Sequence, residues 1–290
     1  MEQAGIVDTL APEEGGGNDV GVVPAPSGQA RVIALANQKG GVGKTTTALS
    51  LGACLAESGR RVLVVDFDPQ GGCAIGLGIE PARLELSVYE ALLDSACQPE
   101  DAIRSTDIEN LDLLPSNIDL AAAELRLVGE VAREHTLRRM LVSLRPFYDF
   151  ILIDCPPSLG LLTVNALTAA DGVIIPLECE YYALRGMALL MDSIGRIREL
   201  LNPQLEVDGV LATMVDSRTL HGREVLGRVK DAFGDKVFDT VVRKTIRFAE
   251  APVAGRPINL YAPDSPGTAA YRQLAQEVIE RVSSSQSAGS

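Results

Sequence analysis

Short apolar runs alternate along the chain with longer segments in which apolar residues recur at helical spacing. Runs rich in Val, Ile and Leu and bounded by polar residues predict buried strands, and the intervening segments predict helices. The predicted strands lie near 31–36, 61–65, 111–114, 149–153, 172–176, 207–213 and 237–242, and a last helix lies near 268–282. This alternation predicts an α/β fold: a doubly wound, mostly parallel sheet with helices on both faces.

A glycine-rich segment follows the first predicted strand. Glycines lack a Cβ, so successive backbone N–H groups can close on phosphate oxygens, and the next helix points its positive end at the same place. Lys44 is spaced to reach the β- and γ-phosphates of a nucleotide, and the Thr45 hydroxyl is spaced to bind Mg²⁺. The predicted nucleotide-binding residues are Gly40, Gly41, Val42, Gly43, Lys44, Thr45 and Thr46. This segment is therefore predicted to be a P-loop.

The start of the loop departs from the common P-loop pattern. That pattern, glycine, four residues, glycine, lysine and Ser or Thr, would place its first glycine at position 38. This chain has Gln38 there, followed by a second lysine, Lys39. The loop is therefore a variant.

Carboxylates follow two further apolar runs. Asp66 and Asp68 end the second predicted strand, and Asp154 ends the fourth. The carboxyl ends of parallel strands meet at the edge where ligands bind in open α/β folds. We interpret Asp154 as the acid that supports the metal through a water, and Asp68 as the acid that positions the attacking water. Asp66 is either a neighbour of the metal or a structural acid.

Taken together, these motifs resemble those of the ParA/Soj family of partitioning ATPases, within the deviant Walker A P-loop group that includes MinD and the nitrogenase iron protein. The resemblance runs from about Val32 to about Ile279. It is carried by residues 39–47, 66–71, 154–160, 180–184, 217–219 and 247–252.

The resemblance implies an ATP-dependent dimer with Mg²⁺. Lys39 matches the signature lysine of the family, which crosses the interface of an ATP-sandwiched dimer to the phosphates of the other subunit. Lys44, Thr45, Asp68 and Asp154 match the phosphate, metal, water-orienting and metal-supporting residues. The expected reaction is ATP hydrolysis with slow intrinsic turnover, stimulated by a centromere-bound ParB-like partner.

The resemblance also implies DNA binding without sequence preference. Arg218 and Arg247 match arginines that the family uses for this purpose, and Lys244 is a weaker candidate. The expected protein is cytoplasmic and nucleoid-associated. Its cargo is left open: a chromosome, a plasmid or another body.

Charge limits how such a protein could bind DNA. The chain has 26 Lys and Arg against 39 Asp and Glu, a formal net charge of −13, which is the wrong sign for binding DNA by bulk electrostatics. Between positions 217 and 260, however, the sequence has nine basic and five acidic residues, a local excess of positive charge. A local, weak and salt-sensitive DNA surface is therefore expected, and ATP-dependent pairing would strengthen it by effective concentration.

Composition indicates the domain boundaries of the chain and the cellular compartment expected for it. Residues 1–30 carry five acids and no base and are predicted to be a disordered extension, 31–282 a single P-loop ATPase domain, and 283–290 a disordered polar tail. No apolar run is long enough to span a bilayer, and the start lacks the basic region of a signal peptide. The five cysteines have no paired metal-ligand spacing, so buried thiols are expected rather than disulfides or zinc.

Two alternatives from other classes stay open. A MinD-like membrane organiser would need a basic amphipathic C-terminal helix; Tyr271, Leu274, Val278 and Ile279 form an apolar stripe there, but acidic residues accompany its few bases. A metabolic P-loop enzyme would need further polar groups converging on the γ-phosphate, and the sequence shows no obvious set.

Overall fold

The structure is a computed structural model that describes residues 29–180, 183–216 and 219–288. Within these residues, eight strands form one sheet in the order β3-β4-β2-β5-β1-β6-β7-β8. Neighbouring strands are parallel except β3 and β4, which pair antiparallel at one edge. The strands are β1 (Arg31–Leu35), β2 (Val62–Asp66), β3 (Arg104–Ser105), β4 (Leu111–Leu114), β5 (Phe150–Asp154), β6 (Gly172–Glu178), β7 (Glu206–Val215) and β8 (Val237–Arg243).

Helices cover both faces of the sheet. They are α1 (Lys44–Glu57), α2 (Gly72–Gly76), α3 (Val88–Leu93), α4 (Leu120–Leu127), α5 (Thr136–Leu144), α6 (Leu161–Ala169), α7 (Ala183–Leu200), α8 (Leu220–Phe233), α9 (Arg247–Val253), α10 (Ile258–Tyr261) and α11 (Pro266–Ala288). Helices α1 and α11 share one apolar core, and α3 to α8 contribute to a second core on the opposite face.

Side-chain alternation along the strands feeds these two cores. In β1, Ile33 and Leu35 point to the core beneath α1, and Val32 and Ala34 point to the other. All four are fully buried, as expected for a central parallel strand covered on both faces. Gly52 of α1 lies close to the sheet, where a Cβ would come within 3.1 Å of the Val64 side chain. The middle of α1 therefore packs closely against β2 and β5, the strands that carry Asp66 and Asp154.

The predicted fold class is confirmed, with differences at the margins. All seven predicted strands are present, but β3 was missed because two residues carry no periodic pattern. The last helix was predicted to end near 282, whereas α11 continues to Ala288, into the segment that was expected to be a tail. Near its end, two serine hydroxyls donate to carbonyls one turn back, Ser283 to Ile279 and Ser284 to Glu280, both at 2.8 Å. Most of the predicted N-terminal extension lies outside the described residues.

Candidate functional site

The glycine-rich loop lies at the carboxyl edge of the sheet, between β1 and α1. Gly41 and Gly43 have φ values of +78° and +90°, a region that other residues rarely adopt. The Asn37 amide donates to the Pro176 carbonyl at 2.7 Å, which ties the start of the loop to β6. The Thr213 hydroxyl donates to the Val42 carbonyl at 2.9 Å, which ties its far side to β7. The loop is therefore held from two neighbouring strands.

Lys44 begins α1 and is almost fully buried under the loop. Its Nζ donates to the Lys39 carbonyl at 3.3 Å. Burial lowers the pKa of Lys44, and the carboxylate of Asp154 partly opposes this effect. The loop thus encloses a desolvated cation beside backbone N–H groups, an arrangement that favours a bound anion.

Thr45 and Asp154 are joined directly. The Thr45 hydroxyl donates to Asp154 Oδ2 at 2.6 Å. Asp154 Oδ1 is buried and has no hydrogen-bond partner among the described residues. Burial raises the pKa of Asp154 to about 6. A hydroxyl and a carboxylate with a free buried oxygen are donors that suit Mg²⁺, so the residues present fit the metal expected from the sequence.

Asp66 lies beside Asp154 but faces the backbone. Its Oδ2 accepts the N–H of Cys73 at 2.8 Å, and its Oδ1 accepts the N–H of Asp68 at 3.3 Å. These contacts are typical of a structural acid, one of the two roles that the sequence left open. Burial, followed by the charge of Asp154, raises the pKa of Asp66 well above its usual value.

Cys73 completes a group that sequence spacing did not indicate. Its Sγ lies 3.5 Å from Asp154 Oδ2, and one ligand atom each from Asp66, Cys73 and Asp154 lie within 4.8 Å of one another. Burial raises the pKa of this thiol well above its usual value. Of the five cysteines, all free, only Cys97 is partly exposed, in agreement with the expectation of buried thiols.

Asp68 follows β2 and is half-buried at the same edge. Its Oδ1 accepts the Gln70 N–H at 3.0 Å, which orders the turn after the strand. The structure therefore gathers Asp68, Lys44, Thr45 and Asp154 around one loop.

Lys39 lies at the rim of the loop with its side chain half exposed. Its Nζ donates to Glu178 Oε2 at 2.6 Å and to Glu180 Oε2 at 2.7 Å. These hydrogen bonds raise the pKa of Lys39. Neither glutamate was singled out from the sequence as a partner of this lysine, because 139 and 141 positions separate them from it.

Two of the three candidate DNA-binding residues are described, and both follow β8 at the same edge. Lys244 is exposed, and its N–H donates to the Val215 carbonyl at 3.3 Å. Arg247 begins α9, is exposed, and pairs with Glu250 at 3.1 Å. Arg218 lies outside the described residues.

Fold and site together define a P-loop nucleotide hydrolase of the deviant type, with a lysine at the start of its loop. A sequence model of the AAA domain family (AAA_31) matches residues 30–207. Soj of Bacillus subtilis, a sporulation initiation inhibitor protein, is 52% identical over 248 residues, which cover 86% of this chain and 98% of Soj. The chromosome partitioning protein ParA of Caulobacter vibrioides is 47% identical over 253 residues, covering 87% and 94%. The chain belongs to this ParA/Soj family.

A solved structure has the same architecture. It is that of cobyrinic acid a,c-diamide synthase from Mycobacterium smegmatis, with a bound ATP analogue and magnesium. The two chains are 44% identical, with a TM-score of 0.78, and the match covers 88% of this chain and 97% of the other.

Proposed function

We propose that this chain is an ATP-dependent DNA-segregation ATPase that binds DNA as an ATP-sandwiched dimer and leaves it on hydrolysis. The observation that carries the proposal is the pair of lysines on one loop. Lys44 is buried beneath the loop, where a phosphate of its own subunit would bind, whereas Lys39 is half exposed at the rim. A second lysine at the rim of the loop lies where it could reach the nucleotide of another subunit.

The nucleotide would bind over residues 40–46, as the M. smegmatis structure with an ATP analogue and magnesium supports. Thr45 and Asp154 would hold Mg²⁺, Asp154 through a water, and the ion would withdraw charge from the phosphates. Asp68 positions the attacking water, because it is the half-buried carboxylate at the mouth of the loop. Lys44 stabilises charge on the transferred phosphoryl group from within the subunit, and Lys39 does so from the partner.

DNA would bind along the edge that follows β8. Lys244 and Arg247 are exposed there, and Arg218, which the family resemblance also assigns to DNA binding, lies outside the described residues. Phosphate contacts of this kind are weak in a single subunit and sensitive to salt, but pairing of two subunits raises their combined affinity. The proposed cycle places the protein in the cytoplasm on the nucleoid, with slow turnover that a ParB-like partner stimulates.

Retention on nonspecific duplex DNA tests this proposal. The wild type is compared at low and moderate salt with ADP and with ATP, beside Lys39→Ala and the control Lys236→Ala. Lys236 is exposed and lies away from the loop, so both variants lose one positive charge. We expect binding only with ATP, less at higher salt, and none by Lys39→Ala, while Lys236→Ala binds like the wild type. ATP-independent binding, or none, would reject the proposal.

A membrane role has less support. Within the described part of the chain, no helix has the length and apolarity needed to cross a bilayer. Tyr271, Leu274 and Val278 of α11 are buried in the core shared with α1. The apolar stripe of this helix is therefore used in packing, which leaves little of it for a lipid interface.

A metabolic role is the second candidate, because the M. smegmatis structure carries the name of a synthase. Such an enzyme would turn over ATP only with a small acceptor present. Phosphate release in a mixture of protein, ATP, Mg²⁺ and DNA, with no acceptor, separates the two functions. Release under these conditions favours the segregation ATPase.

A further inference from the structure

Lys39 is bound to its own subunit by two carboxylates. Glu178 is the last residue of β6, and Glu180 lies two positions further on. The start of the loop is also tied to β6, through the bond from Asn37 to the Pro176 carbonyl. Lys39 lies in the loop after β1, and the glutamates end or follow β6, so the pairing of these two neighbouring strands brings the three side chains to the same end of the sheet.

The two glutamates differ in exposure. The Glu178 side chain is 18% exposed, whereas those of Glu180 and Lys39 are 59% and 50% exposed. Glu178 therefore provides a fixed partner, and Glu180 closes over the ammonium from the solvent side. An ammonium has three donors, and these contacts use two of them.

We propose that Glu178 and Glu180 are positioning residues that hold Lys39 on its own subunit until an ATP-bound partner offers it phosphate oxygens. This inference rests on the proposed function, because it concerns the lysine that crosses between subunits. Exposed ion pairs each change an equilibrium by only about 1.5- to 5-fold. Two glutamates per subunit therefore restrain dimer formation without preventing it.

Dimer formation tests the proposal. The double variant Glu178→Gln and Glu180→Gln is compared with the wild type and with Glu57→Gln plus Glu100→Gln, which changes the charge equally. Glu57 is a suitable control because it makes an exposed ion pair elsewhere, with Arg272 at 2.8 Å. Sedimentation velocity measures the dimer fraction against the concentration of a non-hydrolysable ATP analogue with Mg²⁺. MgADP binding to the single subunit is measured in parallel.

We expect the double variant to dimerise at about tenfold lower analogue concentration than either the wild type or the control, since four restraining contacts are lost per dimer. MgADP affinity should be equal in all three proteins. Equal or weaker dimerisation of the double variant would overturn the positioning role while leaving the proposed function intact. Failure of the wild type itself to dimerise, under conditions where it binds MgADP, would reject the proposed function and this inference with it.

A second measurement tests the contact without dimerisation. The chain has only five lysines, so protein labelled with ¹³C-lysine gives few Cε signals, and Lys39→Arg identifies the one from Lys39. In nucleotide-free protein, the chemical shift of the Lys39 Cε signal should change in the double variant and should be unchanged in the control. An unmoved signal would show that Lys39 is already free and would overturn the proposal.

Discussion

The amino and carboxyl ends of the parallel strands, called here the amino and carboxyl edges of the sheet, differ in how buried charged side chains are paired. At the amino edge, Asp208 lies 2.7 Å from Arg31, and Asp171 lies 3.0 Å from Arg145. At the carboxyl edge, Asp66 and Asp154 are fully buried beside each other. Each acid therefore has its own cation at the amino edge, whereas at the carboxyl edge two acids lie together with Lys44 near Asp154, and a bound metal cation would balance the remaining negative charge.

This difference suggests that charged residues at the amino edge contribute mainly to stability and those at the carboxyl edge mainly to function. Paired charges at the amino edge join segments near the starts of the strands, whereas the carboxyl edge keeps like charges together at a cost in folding free energy. Such a cost is expected at a site that binds a cation and a polyphosphate. Changes at the carboxyl edge should therefore reduce activity more than stability, and changes at the amino edge should do the reverse.

Lys44→Met, at the carboxyl edge, should have the largest effect, a loss of ATP turnover. Turnover of ATP should fall about 10²- to 10³-fold, because a donor to the transferred phosphoryl group is lost. The free energy of unfolding should not fall, since burial already disfavours the charged lysine. Phosphate release and urea unfolding measure the two quantities, and Lys236→Met is the control for loss of a lysine. A large loss of stability in Lys44→Met would contradict the expectation that changes at the carboxyl edge reduce activity more than stability.

Asp208→Asn, at the amino edge, should have the second largest effect, a loss of stability. We expect a loss of about 2–3 kcal/mol in the free energy of unfolding, because Arg31, with a side chain only 17% exposed, loses its nearest countercharge. Turnover per folded molecule should be unchanged. Glu206→Gln is a matched control on the same arginine: this side chain is 54% exposed and 3.5 Å away, so its loss should cost at most about 0.5 kcal/mol. Equal costs for the two variants would contradict the prediction.

Asp154→Asn should have a smaller and opposite effect on stability. Burial raises the pKa of Asp154 to about 6, so at pH 8 the nucleotide-free fold carries a buried charge. A folded pKa above the usual value lowers stability as pH rises through the interval between the two. The variant should therefore be more stable than the wild type by about 1–2 kcal/mol at pH 8, and this advantage should shrink towards pH 4.

Urea unfolding at the two pH values, without Mg²⁺ or nucleotide, measures this advantage. Asp68→Asn is the control, because that carboxylate is only half-buried at the same edge and its loss should change stability little. Addition of MgATP should stabilise the wild type and not Asp154→Asn. A variant less stable than the wild type at pH 8 would show that Asp154 is structural.

Part of the site was predictable because topology alone determines it. Asp154 ends a strand and Asp68 follows one, and parallel strands place such residues at one edge whatever the details of packing. Lys44 was predictable from its spacing within the glycine-rich loop. The same reasoning predicted the fold, since every strand except β3 is a run long enough to show a pattern. Arg247 and Lys244 lie at this edge for the same reason.

Contacts that depend on packing between distant segments were not predictable. Cys73 approaches Asp154 only because α2 begins directly after the turn at Asp68, and nothing in the spacing marks that thiol as part of the site. The contacts of Lys39 with Glu178 and Glu180 depend on the pairing of β1 with β6. A single sequence gives no register between strands that lie so far apart along the chain.

The smallest expected effect concerns the bond from Thr213 to the Val42 carbonyl. Valine has nearly the same shape as threonine, so Thr213→Val removes the donor and leaves a loop carbonyl without it. We expect a loss of about 1 kcal/mol in the free energy of unfolding and a few-fold weaker binding of MgADP. Urea unfolding and a fluorescent ADP titration measure the two effects.

Thr168→Val is the matched control, because the hydroxyl of Thr168 is equally buried but has no partner among the described residues. Removing an unpaired hydroxyl should leave stability unchanged or raise it, and should not alter MgADP binding. Thr168 lies near the end of α6, the helix that returns the chain to the amino edge, so the pair also compares the two edges with the same substitution. If both variants weaken MgADP binding alike, the loop is not positioned by β7, and the hydroxyl of Thr213 serves packing alone.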